Sequence, residues 1–211
     1  MYLDGITSHL NSRTATDNTV MDPLVISKDQ TALVVIDLQK GIAAMPTVPH
    51  DAASVVRNAA KLAEAFRNNG MPVFLVRVTP SADMKDGLHP AVDEGVATRG
   101  AMSADWSEIL PEMKPLESDF IITKRQWGAF YGTELDLQLR RRSIHTIVLC
   151  GIATDIGVES TARVAYEYGY NQIFAEDAVA ARSVEGHRHA VKEIFPRIGK
   201  MRTTEEILAA I

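Results

Sequence analysis

The stretch Leu149-Cys150-Gly151-Ile152-Ala153-Thr154-Asp155-Ile156-Gly157-Val158-Glu159-Ser160-Thr161-Ala162-Arg163 decides how the chain folds. Thr146 to Cys150 is an apolar run that meets a glycine. A short polar turn follows, and apolar or small residues then recur at Val158, Ala162, Ala165 and Gly169 with helical spacing. The pattern is a buried parallel strand passing into a helix. At such a junction the first-turn amides lack intrahelical acceptors and the dipole is positive, so developing negative charge is stabilised there. An ordinary strand-to-helix connection looks the same, and only the neighbouring strand ends distinguish the two.

Those neighbours are readable. Ala32-Leu33-Val34-Val35-Ile36 is a continuous apolar run, the mark of a strand covered on both faces, and Asp37 stands at its carboxyl end. A helix follows from about Ala52 to Asn69, with Val55, Ala59, Leu62, Ala63 and Phe66 on one stripe and Gly70 as its stop. Residues 72–76 form the second strand, with Arg77 near its end, and residues 119–123 form the third, ending at Lys124. Residues 126–132 make an aromatic loop containing Trp127, Phe130 and Tyr131. Thr133 can cap a helix carrying Leu135 and Leu139.

Further strands are expected at 172–175 and 197–201. Helices are expected over 185–195 and after Thr203 or Thr204, where Glu205 and Glu206 suit the dipole. Alternating strands and helices predict a mainly parallel sheet with right-handed crossovers. Residues 79–118 are broken by four prolines and three glycines, and a connection of that length carries short turns, such as one over 106–113, or acts as a lid.

With 211 residues, 46% of them hydrophobic, the chain has enough apolar material for one α/β core and no composition shift marking a second. Residues 30–211 are expected to form that domain. Residues 1–29 read as a polar, turn-rich arm whose 23–26 run suits docking better than free solution. A net charge of −5 argues against nonspecific nucleic-acid or anionic-membrane partners. The single cysteine, Cys150, rules out an intrachain disulfide framework and points to a reducing compartment, and no targeting signal or membrane-length stretch is visible, so a cytoplasmic protein is expected.

Asp37, Lys124 and residues 151–157 all fall just past strand ends, which would bring them to one edge of a parallel sheet, where open α/β sheets bind ligands. Dinucleotide, P-loop and serine-hydrolase signatures are absent. Of the histidines, only His187 and His189 are closely spaced, and on a helix they point roughly 200° apart, so no metal and no cofactor are expected.

The sequence resembles the isochorismatase-like, or cysteine hydrolase, family from Ala32 to about Ile198. The resemblance rests on Val34-Val35-Ile36-Asp37-Leu38-Gln39, on Lys124 with Phe130-Tyr131-Gly132-Thr133-Glu134-Leu135, and on Cys150-Gly151-Ile152-Ala153-Thr154 with Val158-Glu159-Ser160-Thr161-Ala162-Arg163. It implies a Rossmann-like three-layer α-β-α sandwich of about six strands, and in most members an Asp, Lys and Cys triad. Asp37 and Lys124 match the first two positions; the third is Gly157. Cys150 lies seven residues upstream, inside the strand, and does not replace the missing nucleophile.

Without a thiolate there is no thioester route to amide hydrolysis. Members that hydrolyse an enol ether dispense with the cysteine, because protonating the vinyl carbon needs an acid and then water. The resemblance therefore implies Asp37 as acid, with Lys124 either orienting Asp37 or holding a substrate carboxylate. Arg77 is expected to grip a carboxylate, and Trp127, Phe130 and Tyr131 to form an apolar wall. The resemblance also implies that Ile152, Ala153 and Ile156 belong to the binding turn, with a cis peptide near Ile152-Ala153. C–N hydrolysis by activated water and a noncatalytic binding protein are the alternatives. Relatives form dimers or larger assemblies, so a homo-oligomer acting on a small molecule is expected.

Overall fold

Thr31–Ile36 is buried on every residue, as a continuous apolar run requires, and forms strand β1 at the centre of the sheet. The computed structural model describes residues 24–93 and 102–211. Beside β1 lie β2 (Val73–Val78), β3 (Phe120–Lys124), β4 (Thr146–Ile152), β5 (Asn171–Ala180) and β6 (Lys200–Arg202). The spatial order is β3-β2-β1-β4-β5-β6, with every pair parallel. Because the order reverses at β1 and β4, the crevice beyond their carboxyl ends is the topological switch point, the place where such sheets bind ligands.

The helices are α1 (Lys40–Ala43), α2 (Ala52–Asn68), α3 (Leu135–Arg141), α4 (Glu159–Glu167), α5 (Val184–His189), α6 (Phe195–Ile198) and α7 (Thr204–Ala209). Alternate residues of β1 divide the core. Val34 and Ile36 pack with Leu135 and Leu139 of α3 and Ala162 of α4, whereas Leu33 and Val35 pack with Val55, Ala59, Leu62 and Phe66 of α2 and Ile207 of α7. The result is the expected three-layer α-β-α sandwich. At the start of α2, Asp51 accepts a hydrogen bond from the Ser54 amide at 2.8 Å. Before β1, Leu24 and Ile26 pack on the α2-side core while Val25 points outward; residues 1–23 of the expected arm lie outside the described residues.

Several boundaries differ from the sequence reading. The last strand is residues 200–202 and not 197–201, because Arg197 and Ile198 complete α6, where Ile198 packs against the α4-side core. Strand β5 runs on to Ala180 across an irregularity in its pairing with β4, where Asp177 turns aside to accept from the amide and hydroxyl of Thr204. The helix expected over 185–195 is two α-helical pieces joined by π-helical residues 190–194. Of the region 79–118, residues 94–101 lie outside the described ones. In the remainder, Ile109 bridges to Gln39 and Pro111–Met113 makes a short 3₁₀ turn. No helix among the described residues is long and apolar enough to cross a membrane.

Candidate active site

Asp37 is the first residue past β1. Its amide still joins the ladder, donating to Val76 O at 2.9 Å, but its φ of +54° turns the chain out of the strand. One carboxylate oxygen, Oδ2, accepts a hydrogen bond from Lys124 Nζ at 2.8 Å, and the same ammonium donates to Gln126 O at 3.1 Å. Both side chains are nearly removed from solvent, at 7% and 2% exposure. The other oxygen, Oδ1, is buried and has no protein partner. Burial pushes the Asp37 carboxyl up to about 6 from an ordinary 3.8, against the opposing pull of the Lys124 charge and hydrogen bond. Two residues 87 positions apart thus form a buried pair at the end of the sheet, as their places at strand ends suggested.

The turn opposite them follows β4. Gly151 has φ +123°, and a Cβ there would run into the backbone of Ile36, so glycine is what lets the ends of β1 and β4 close up. A cis peptide joins Ile152 to Ala153, and residues 154–158 form a π-helical turn leading into α4. A Cβ on Gly157 would lie 3.1 Å from Asp37 Oδ2, 3.0 Å from Ile36 Cγ2 and 3.7 Å from Trp127 O. Any side chain at position 157 would therefore meet the Asp37 carboxylate. Asp37, Lys124 and Gly157 converge; Ile156 and Ala153 are half-buried parts of the same turn, and Ile152 is buried in the α2-side core.

Other expected contributors lie elsewhere. Arg77 falls inside β2, paired in register with Thr123 and donating to its hydroxyl at 3.2 Å. By alternation it shares a face with Leu75 on the α2 side, whereas Lys124 shares one with Ile122 on the other, so Arg77 is not brought to the Asp37–Lys124 pair. Phe130 is not a pocket wall. It is buried in the core, stacked on Tyr170 with ring centres 5.8 Å apart and edge-on to Tyr168 at 5.5 Å. Trp127 and Tyr131 project outward at 60% and 82% exposure, so the loop meets residue 157 through the Trp127 backbone. Cys150 is fully buried, with its thiol pushed up to about 12 by desolvation and by the Asp177 carboxylate, which makes it inert as a nucleophile at neutral pH.

Two supporting residues sat in the motifs but were not singled out. Gln39, two residues past Asp37, is fully buried; it accepts from the Val78 amide at 2.8 Å and donates to the carbonyls of Val78 at 3.0 Å and Trp106 at 3.3 Å. It ties the chain after Asp37 to the end of β2. Thr161, four residues after Gly157, donates to Gly157 O at 2.7 Å and accepts from the Ala129 amide at 3.1 Å. The one-turn spacing was the available signal, since a helical threonine bonds back to the carbonyl four residues earlier. It joins the turn to the Lys124 loop. Among the described residues no group of three His, Cys, Asp or Glu side chains is arranged to hold a metal ion.

Fold and site together describe an α/β enzyme whose polar groups hang from strand ends at the switch point of a parallel sheet. The isochorismatase domain family matches residues 31–206. The chain is 52% identical over 188 residues to the uncharacterized isochorismatase family protein YecD of Escherichia coli O157:H7, covering 89% of this chain and 100% of that one. An isochorismatase family protein of Burkholderia thailandensis has a similar structure, with a TM-score of 0.84 and 42% identity over 88% of this chain and 97% of that one. N-carbamoylsarcosine amidase of Thermoplasma acidophilum is similar at a TM-score of 0.67 and 30% identity, over 83% and 97% of the two chains. The chain belongs to the isochorismatase family and is a hydrolase of that family.

Proposed function

We propose that this hydrolase cleaves a small, carboxylate-bearing enol ether, with Asp37 as the general acid and no covalent intermediate. The observation that carries the reading is the Asp37 carboxyl itself. It is held near 6 in a dry site, with one oxygen on Lys124, the other unpartnered, and a glycine where a side chain would otherwise abut it. Asp37 donates its proton to the vinyl carbon, and the ether oxygen stabilises the resulting oxocarbenium ion. Water adds to the cationic, oxygen-bearing carbon next to the one that was protonated, and returns a proton to Asp37. The hemiketal then collapses to a carbonyl compound and an alcohol. Lys124 keeps the carboxyl oriented through Oδ2, leaving Oδ1, which has no protein partner, to carry the proton.

A second reading follows from the likeness to an enzyme named as an amidase: Asp37 acts as carboxylate base on water for C–N hydrolysis. Incubating the protein with a panel of enol ethers and small amides, with product detection, separates the two. Release of a carbonyl product and an alcohol from enol ethers, lost in Asp37→Asn, is expected; turnover of amides alone overturns the enol-ether reading. The assembly we expect is a dimer or tetramer, and light scattering showing a monomer at micromolar concentration would contradict it.

A further inference from the structure

The turn that faces Asp37 is gripped from both flanks, and one of the gripping side chains, His187, lies outside the family motifs quoted above. On the α4 side, Thr161 holds the Gly157 carbonyl. On the other side stands α5. The hydroxyl of Thr154, the first residue of the turn, lies 3.0 Å from His187 Nδ1, and both residues are buried. The carboxylate of the next residue, Asp155, packs against Gly186, in the space that a side chain at 186 would fill. Its Oδ1 is buried without a protein partner.

The His187 ring is fixed in turn by an edge-on contact with His50, ring centres 6.2 Å apart and planes at 85°. The groups facing it are His50 from the segment before α2, Asp155 from the turn and Glu176 from β5. Burial and His50 lower its pKa below the ordinary value, outweighing the two carboxylates, so near neutral pH the ring is uncharged and offers one acceptor and one donor nitrogen.

We propose that His187 is a positioning residue, acting through Thr154 to set the orientation of the turn that presents position 157 to Asp37. Among the described residues neither is hydrogen-bonded to Asp37 or Lys124, and Thr154 is joined to the reacting centre through the turn. A β-branched threonine tied by its hydroxyl has one rotamer available, so the bond fixes the backbone from which residues 155–157 continue. Losing it lets the turn drift relative to Asp37, and a drift of about 1 Å at a reacting centre costs up to about a hundredfold in rate.

The proposal rests on Asp37 and position 157 forming the reacting centre, but its test does not need the native reaction. In a Gly157→Cys background, the rate of alkylation by iodoacetamide reads how the turn presents residue 157; Cys150 stays silent because it is buried and its thiol is pushed up to about 12. Four second substitutions are compared, with circular dichroism on each. Thr154→Val and His187→Leu remove the bond and are expected to slow alkylation about tenfold. Thr154→Ser keeps the hydroxyl, His187→Asn keeps a polar partner near Nδ1, and both are expected to retain the parental rate. Equal rates in all four variants would overturn the proposal. So would equal losses in the conservative and non-conservative pairs, which would assign the effect to packing. A protein that turns over nothing in the panel would sink the enol-ether reading while leaving this order of alkylation rates intact.

Discussion

The two edges of one sheet make opposite use of charge. At the amino edge there is a cavity of about 630 Å³ lined by Lys28, Arg67, Asp119 and Arg142, with Phe120 among its walls. Those four charged side chains all have partners. Arg67 grips Asp119 through two hydrogen bonds of 3.0 and 2.7 Å, Lys28 donates to Asn69, and Arg142 donates to Gln138 while lying 3.9 Å over the Phe120 ring. At the carboxyl edge Asp37 Oδ1, Thr79 Oγ1 and Asp155 Oδ1 are all buried without protein partners. Of the four such atoms among the described residues, only Gln172 Oε1 lies elsewhere, and its amide nitrogen is bonded to Ile198 O. Leaving a buried polar group unmatched costs roughly 1–3 kcal/mol, so a fold that gathers three at one edge gives up stability where a ligand can recover it.

The largest contrast should come from removing one carboxylate at each edge. Asp37→Asn keeps shape and an acceptor for Lys124 but has no proton to give, and turnover should fall about a thousandfold while circular dichroism is unchanged. Asp119→Ala strands the largely buried Arg67 and should lower stability by roughly 3 kcal/mol in urea unfolding, with activity retained in the folded fraction. Equal losses of activity at the two edges would erase the distinction.

A smaller effect is expected of Gly157→Cys. Its Cβ needs Ile36 and Asp37 to give by a few tenths of an ångström, and its thiol faces a carboxylate able to take its proton. Rapid alkylation is expected with poor turnover of simple amides, since an oxyanion hole aimed at a tetrahedral intermediate is worth about 3 kcal/mol per donor and must also be in place. Efficient amide turnover by this variant would show a site built for thiol chemistry and contradict the enol-ether reading.

The smallest effect sharpens the comparison. Thr79 sits beside Lys124, donating its amide to the Lys124 carbonyl at 3.1 Å, while its hydroxyl has no partner. Thr79→Val keeps shape and removes that unmet hydroxyl. It should raise stability by up to about 1 kcal/mol and raise KM, both measurable in one preparation. A loss of stability would mean that the hydroxyl is satisfied within the protein.

The frame and the central pair could be read from the sequence because they rest on local signals. Strands β1 and β4 are unbroken apolar runs with Asp37 and Gly151 at or near their ends, and parallel alternation sends all such ends to one edge. What escaped depends on where strands stop or on distant partners. Arg77 looked like a strand-end residue because the apolar run ends at Val76, but β2 continues to Val78 and alternation turns Arg77 to the α2 face. Phe130 looked available to a ligand because nothing near it in sequence shows that Tyr168 and Tyr170 will cover it. The π-helical turn at 154–158 has no composition of its own. The role of His187 depends on α5 reaching back 33 residues to Thr154.

The pH dependence of turnover tests the central claim most directly. If Asp37 donates a proton, the active form is the protonated one. The rate on an enol ether should then be level below about pH 6 and fall about tenfold per unit above it, with that limb absent from whatever rate Asp37→Asn retains. A rate that instead rises through pH 6 to a plateau would make Asp37 a base acting on water and contradict the account.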